Sequence, residues 1–370
     1  MRDILTELTA WFDRGEAFAL ATVVRTWKSS PRTPGAAMAV SAAGEVLGSV
    51  SGGCVESAVY ESALEVLADG CSRTEVFCVA DDDAIGVGLT CGGTIEVFVQ
   101  RVDRAAYPQF AEVARLVREG EPVAVVTATD SGRPARHTVV TAASSRGAVE
   151  VAESEVADIR SRSAAGTSTV YAFEPATGSC ASAMVEVFAP RPRMYVFGAV
   201  DFAAAMCTLG SFAGYHVTVV DARPVFATRA RFPGADEVVV MWPHRFLETA
   251  PVDAHTVMAV LTHDEKFDIP LLERALRSDA SYVGAMGSRA THERRVALLR
   301  ERGLTDDELG RLHSPIGLDL GARTPEETAV SILAEMMKVA RSATALELRD
   351  LDGPIHRDRR SDVRPADCPA

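Results

Sequence analysis

The sequence predicts an α/β protein: an N-terminal α/β domain followed by a C-terminal Rossmann-like domain with a mostly parallel sheet. Two observations carry this. In the second half, short apolar runs at 194–197, 216–220, 237–241, 256–261 and 281–285 alternate with helical stretches. Alternation of that length implies parallel strands with helices on both faces. In the first half, strand-like segments flank a glycine-rich turn that runs into a helix with Val55, Val59, Ala63 and Val66 at helical spacing.

Taken in order, residues 1–20 read as an amphipathic helix of mixed charge. They lack the basic start and unbroken apolar core of a secretory leader. Residues 17–26 read as a strand, 28–35 as a loop, and 36–40 and 46–50 as short strands joined at Gly44. The helix after Ser51-Gly52-Gly53-Cys54 is closed by Gly70, and strands at 73–79 and 94–99 flank an acidic, glycine-rich loop. Across 103–185 the signals weaken, with strands read only at 122–128 and 137–142, and no internal repeat of useful length is visible. Arg191-Pro192-Arg193 reads as a linker dividing 1–190 from 191–345. Thr324-Pro325-Glu326-Glu327 opens the last helix as a capping box. Residues 346–370, rich in Arg, Asp and Pro, read as a disordered tail.

The formal net charge of -13, with no basic run, disfavours nucleic acid and anionic membranes as partners. No apolar run reaches the roughly 18 residues needed to cross a bilayer. Seven scattered cysteines without a CxxC pair point to a reducing compartment, the cytoplasm, and away from a zinc ribbon. Successive gaps of 17, 7 and 13 positions from Cys54 to Cys91 do not match the close spacing of an iron–sulfur enzyme.

Two sets of residues carry candidate chemistry. Gly52, Gly53 and Cys54 stand where a strand turns into a helix, and a thiol there meets the positive helix end and its unpaired N–H groups. Such a sulfur ligates a soft metal or carries a persulfide, against the plainer reading of a small residue in a tight turn. Cys91, in Gly88-Leu89-Thr90-Cys91-Gly92-Gly93, repeats the setting before a strand. Cys71, Cys78, Cys180 and Cys207 read as packing residues. In the second half, Gly198 ends a buried strand and Asp221 closes the next, as in a dinucleotide fold. Val200 replaces the second glycine of that motif and Asp201 adds a negative charge, both unfavourable to NAD(P). His263-Asp264 with Lys266 and Asp268 follows one later strand, where a pterin, a phosphate or a metal would bind, and Ser288 with Arg289 follows another, suited to a phosphate. The plainer reading of each is a hydrogen-bonded loop or helix cap.

With these pieces assembled, the chain resembles the xanthine dehydrogenase accessory family, XdhC/CoxI. The resemblance runs through Ser29-Ser30-Pro31-Arg32, Ser51-Gly52-Gly53-Cys54-Val55-Glu56, Cys91-Gly92-Gly93, Val219-Val220-Asp221-Ala222-Arg223, Thr262-His263-Asp264, residues 282–289, residues 315–321 and Thr324-Pro325-Glu326-Glu327. It implies a chaperone, rather than a catalyst, that binds molybdenum cofactor (molybdopterin). The chaperone would assist sulfuration and insertion of that cofactor into xanthine dehydrogenase or a related molybdenum hydroxylase. A cysteine desulfurase as sulfur donor and a homodimer complete the expected partners. By the same resemblance Cys54 is the candidate for contacting molybdenum or its exchangeable sulfur, with Cys91 as the second family cysteine. The family's usual Gly-Ala-Gly-His turn is Gly198-Ala199-Val200-Asp201 here, and its Gly-His-Asp loop is Thr262-His263-Asp264. An NAD(P)-dependent oxidoreductase built on the Rossmann half is the alternative reading.

Overall fold

The computed structural model describes residues 1–27, 30, 32–78 and 93–352. These divide into two compact units, one from Met1 to Pro190 and one from Arg191 to Asp350. Cys91 and the expected tail beyond residue 352 lie outside the described residues.

The first unit contains the elements α1 (Leu5–Asp13), β1 (Phe18–Trp27), β2 (Ala37–Ser41), β3 (Val46–Gly48), α2 (Glu56–Asp69), β4 (Arg73–Phe77) and β5 (Thr94–Val102). Then follow α3 (Phe110–Glu119), β6 (Val123–Ala128), β7 (His137–Thr141), β8 (Ser145–Gly147), α4 (Glu153–Ala164), β9 (Thr169–Phe173) and β10 (Ala183–Phe188). Among the described residues they form two antiparallel five-stranded sheets, ordered β3-β2-β1-β5-β4 and β8-β7-β6-β10-β9.

The second order is the first repeated. The unit is a structural repeat that the sequence does not reveal. The registers correspond: Phe18 faces Val102 and Thr22 faces Phe98 in one sheet, while Val123 faces Phe188 and Thr127 faces Met184 in the other. Even one steric constraint recurs. A Cβ on Gly48 would stand 2.3 Å from the Ala37 carbonyl oxygen, and one on Gly147 would stand 2.1 Å from that of His137. Ala37 and His137 are matched positions, opposite Thr22 and Thr127. The residues that satisfy these constraints are mostly different in the two copies, so self-similarity along the chain is slight.

Both faces of each sheet are covered. Leu8 and Phe12 of α1 and Phe110 and Val113 of α3 share one core with Phe18 and Leu20 of the first sheet and Val123 and Val125 of the second. On the opposite face α2 covers the first sheet through Val59, Ala63 and Val66, and α4 covers the second through Val156 and Ile159. Strands buried on two sides lose the apolar–polar alternation of a half-exposed sheet. That suits β10, buried along its whole length and not read from the sequence, whereas β6, equally buried, was read at 122–128.

The second unit contains β11 (Arg193–Phe197), α5 (Asp201–Phe212), β12 (His216–Asp221), β13 (Glu237–Val240), α6 (Pro243–Thr249), β14 (Val257–Val260) and α7 (Glu265–Leu276). It continues with β15 (Tyr282–Ala285), α8 (Arg289–Glu301), α9 (Asp306–Gly310), β16 (Leu312–His313) and α10 (Pro325–Arg341). The strands form a parallel sheet ordered β13-β12-β11-β14-β15-β16. This is the dinucleotide-fold order, with its switch point between β11 and β14. One apolar core packs α5 and α10 on one face, and another packs α7 and α8 on the other. The capping box at α10 is present, with Thr324 Oγ1 accepting from the Glu327 amide. Arg191 and Arg193 are not a free spacer, for they pair with Asp236 at 2.7 Å and Asp253 at 2.6 Å within this unit.

Candidate functional site

The glycine turn at Cys54 joins β3 to α2. Gly52 and Gly53 hold φ of 86° and 125°, in the region that disfavours side chains. Cys54 stands two residues before the first helical residue and is partly exposed. Its expected surroundings of unpaired N–H groups are not found. The Glu56 carboxylate folds back into the turn and accepts from the Ser49 hydroxyl at 2.6 Å, the Ser51 hydroxyl at 2.6 Å, and the amides of Ser51 at 2.9 Å, Gly52 at 3.0 Å and Gly53 at 2.8 Å. The Cys54 amide is held by Ser51 Oγ at 3.0 Å. Burial pushes the Glu56 carboxyl up, but the bonds from the Ser49 and Ser51 hydroxyls and the Ser51 amide outweigh it and bring it down to about 2. The nest is therefore filled from within.

The register sets which strand ends lie at the same end of the first sheet as this turn. Gly48 at the end of β3 faces Met38 near the start of β2, Trp27 at the end of β1 faces Thr94, and Phe77 at the end of β4 faces Ile95. These strand termini therefore lie at one end of the first sheet. The matching connection in the second copy, from Gly147 to Glu153, is two residues shorter than that from Gly48 to Glu56. It has neither a glycine pair nor a cysteine.

The remaining described cysteines divide by environment. Cys207 is buried in α5, and burial pushes its thiol up to about 12, as suits a packing residue. Cys78 is disulfide-bonded, which corrects its reading as a packing thiol. Cys180 is partly exposed and lines a cavity of about 930 Å³ with Asp130, Arg133 and Arg136. Burial and the Asp130 charge raise its thiol. The polar groups there brace the loops: Arg136 donates to the Ser179 carbonyl at 2.8 Å, and Asp130 accepts from the Ala181 amide at 3.1 Å.

In the second unit Asp221 ends β12, and Gly198, His263, Asp264, Ser288 and Arg289 follow the carboxyl ends of β11, β14 and β15, at one edge of the parallel sheet. Their individual settings differ. Gly198, at φ 109°, has Thr262 Cγ2 only 2.8 Å from where a Cβ would stand, so the glycine is required by that close approach. Asp221 is buried, and its carboxylate accepts from the Ala199 amide at 2.7 Å and from the Arg223 amide, Nε and Nη2 at 2.8–2.9 Å. Burial would raise it, but the bonds from Arg223 and Ala199 hold it below the usual carboxylate range. A ribose would have to displace those partners. Asp264 caps α7 through the Lys266 amide, Ser288 caps α8 through the Thr291 amide, and His263 and Arg289 are exposed.

Sequence reasoning missed Arg223 as the partner of Asp221, and it missed a buried network below the same edge. Asp268 and Arg295 pair at 2.8 Å, each side chain 3% exposed. Thr262 Oγ1 donates to Asp268, while Arg295 donates to the Met286 carbonyl at 3.1 Å and to Ser314 Oγ at 3.2 Å. It ties the connections after β14, β15 and β16 together. A polar residue at the first inward turn of α7 was its only sign in the sequence.

Comparisons with known proteins match both parts of the chain. The model of the XdhC and CoxI family matches residues 11–78, and that of the XdhC Rossmann domain matches residues 194–336. The chain is 27% identical to a protein of Bacillus subtilis described as a probable xanthine dehydrogenase subunit, over 91% of this chain and 98% of that protein. It is 26% identical to the molybdenum cofactor insertion chaperone PaoD of Escherichia coli, over 88% and 84% of the two. A crystal structure described as a xanthine dehydrogenase from Bacillus halodurans aligns with a TM-score of 0.73 and 26% identity, covering 93% of this chain and 96% of that one. The two family models together span more than half of the chain, with the glycine-cysteine turn inside one and the dinucleotide-order sheet inside the other, and the chain belongs to the XdhC and CoxI family.

Proposed function

We propose that the protein is a chaperone whose cargo is molybdenum cofactor, assisting its sulfuration and insertion into xanthine dehydrogenase or a related molybdenum hydroxylase. The observation that carries this reading is the similarity to the insertion chaperone PaoD along 88% of the chain. In this reading Cys54 meets the molybdenum or its exchangeable sulfur. A partly exposed thiol is a suitable soft ligand. Among the described residues no group of three or more His, Cys, Asp or Glu could hold a bare metal ion. That suits a cargo whose pterin already grips the metal and needs one further sulfur. A cysteine desulfurase supplies that sulfur, the work is cytoplasmic, and two copies of the chain pair. Taken by itself, the second unit offers the exposed His263 and Arg289 beyond its strand ends as groups for a phosphate-bearing ligand. No observation favours a nicotinamide oxidoreductase, since Asp221 is already engaged by Arg223 and Ala199.

The test is pterin content, read as fluorescence after oxidation, of protein made in cells that synthesise the cofactor. Wild type should retain pterin, and Cys54→Ala should lose about tenfold, the scale of one strong contact. Equal retention in both would remove Cys54 from the site. No pterin in either, where a known carrier is loaded, would overturn the chaperone reading.

A further inference from the structure

We propose that Glu56 is a positioning residue for Cys54: it fills the peptide nest of the glycine turn so that the thiol, and not the backbone amides, is what the turn offers a ligand. The inference rests on the proposed role of Cys54. The Glu56 carboxylate takes donors at both oxygens. Oε1 receives the Ser49 hydroxyl and the Ser51 and Gly52 amides, and Oε2 receives the Ser51 hydroxyl and the Gly53 and Val55 amides. Successive amides converging on one point are how backbone turns bind anions. Here the anion is supplied by the chain itself.

Two consequences follow for recognition. A phosphate or oxo group of the cargo finds the amides already paired and a fixed negative charge in their midst, so it cannot seat in the turn. A ligand is left with the sulfur, which favours a soft metal centre or a sulfur atom over a hard anion. The second copy of the fold shows that this turn is not needed to join strand to helix. Its shorter connection makes the same junction, and its helix is capped by Glu155, which accepts from the Ala152 amide at 2.8 Å. The longer turn with its inward carboxylate is thus an addition to the scaffold. Both glycines have nothing within 4 Å of a built Cβ. Their φ values fit the turn that Glu56 closes, and no neighbour forces them.

The experiment compares wild type, Glu56→Gln, Glu56→Asp and Cys54→Ala as full chains. Alkylation of Cys54 by iodoacetamide is followed by peptide mass, beside pterin content and the melting curve. Glutamine keeps the size but cannot accept at both ends, so the turn opens. Cys54 alkylation should then accelerate about tenfold and pterin fall about tenfold, the scale of losing charged hydrogen bonds. Glu56→Asp, which keeps the charge, should recover part of both. A folded Glu56→Gln chain that alkylates at the wild-type rate overturns the proposal. If Glu56→Gln does not melt cooperatively, Ser49→Ala, which removes one hydroxyl donor to Glu56 and leaves both the charge and the Ser51 bond to the Cys54 amide, must accelerate alkylation or the proposal falls. Absence of pterin in every chain, wild type included, would count against the chaperone reading alone, because the alkylation rates still decide the role of Glu56.

Discussion

Gly53 and Gly48 are both glycine for backbone reasons, yet they predict different costs. Gly53→Ala places a Cβ in open space at φ 125°, so its cost is strain alone, about 1–2 kcal/mol. Gly48→Ala adds to a φ of 72° a clash at 2.3 Å with the Ala37 carbonyl, which only a shift of β2 against β3 relieves. We expect that to exceed about 3 kcal/mol in urea unfolding. Similar losses for the two would refute the steric account of the shared glycine position. At this scale Cys54 and its glycine pair were legible in the sequence, because glycine beside a helix start is a local signal. Glu56 was not. Its part depends on a side chain folding back over the preceding residues, and an acid in a first helical turn is too common to single out.

The elements of the first copy were largely legible, since α2 has a clean apolar period and its end is marked by Gly70. Of the second copy, β6 and β7 were read, while β8, β9, β10 and the helices α3 and α4 were not. Strand β10 is buried on both faces, and α4 buries only Val156, Ile159 and Ser163. The repeat escaped because register and hydrogen bonding recur while residue types do not. Gln100 and Glu186, for example, occupy matched positions opposite Leu20 and Val125. Comparison of the copies yields a prediction for the turn as an element. Deleting Gly52 and Gly53 brings the connection to the length of its counterpart, so the chain should keep a cooperative melt while losing its pterin. Loss of the fold would mean that the longer turn is structural.

Across the whole molecule, the parallel sheet with helices on both faces was legible from strand–helix alternation, but its strand order and the state of its ligand edge were not. Whether an acid such as Asp221 awaits a ribose or is consumed by Arg223 depends on side-chain geometry. The engaged carboxylate, together with Val200 at the turn, predicts that titration with NADH or NADPH gives no saturable fluorescence change up to millimolar concentration. A saturable change would reinstate nucleotide binding at this edge.

The doubled scaffold with a single long turn has a consequence for stoichiometry. A repeated fold could offer two equivalent sites, but here the halves differ. One has the cysteine, and the other matches it in sheet order and register without it. If Cys54 holds the cargo as proposed, the chain should carry one equivalent of it, the second half supplying scaffold alone. Grafting residues 49–55 in place of 148–152 would ask whether that scaffold can be made into a carrier.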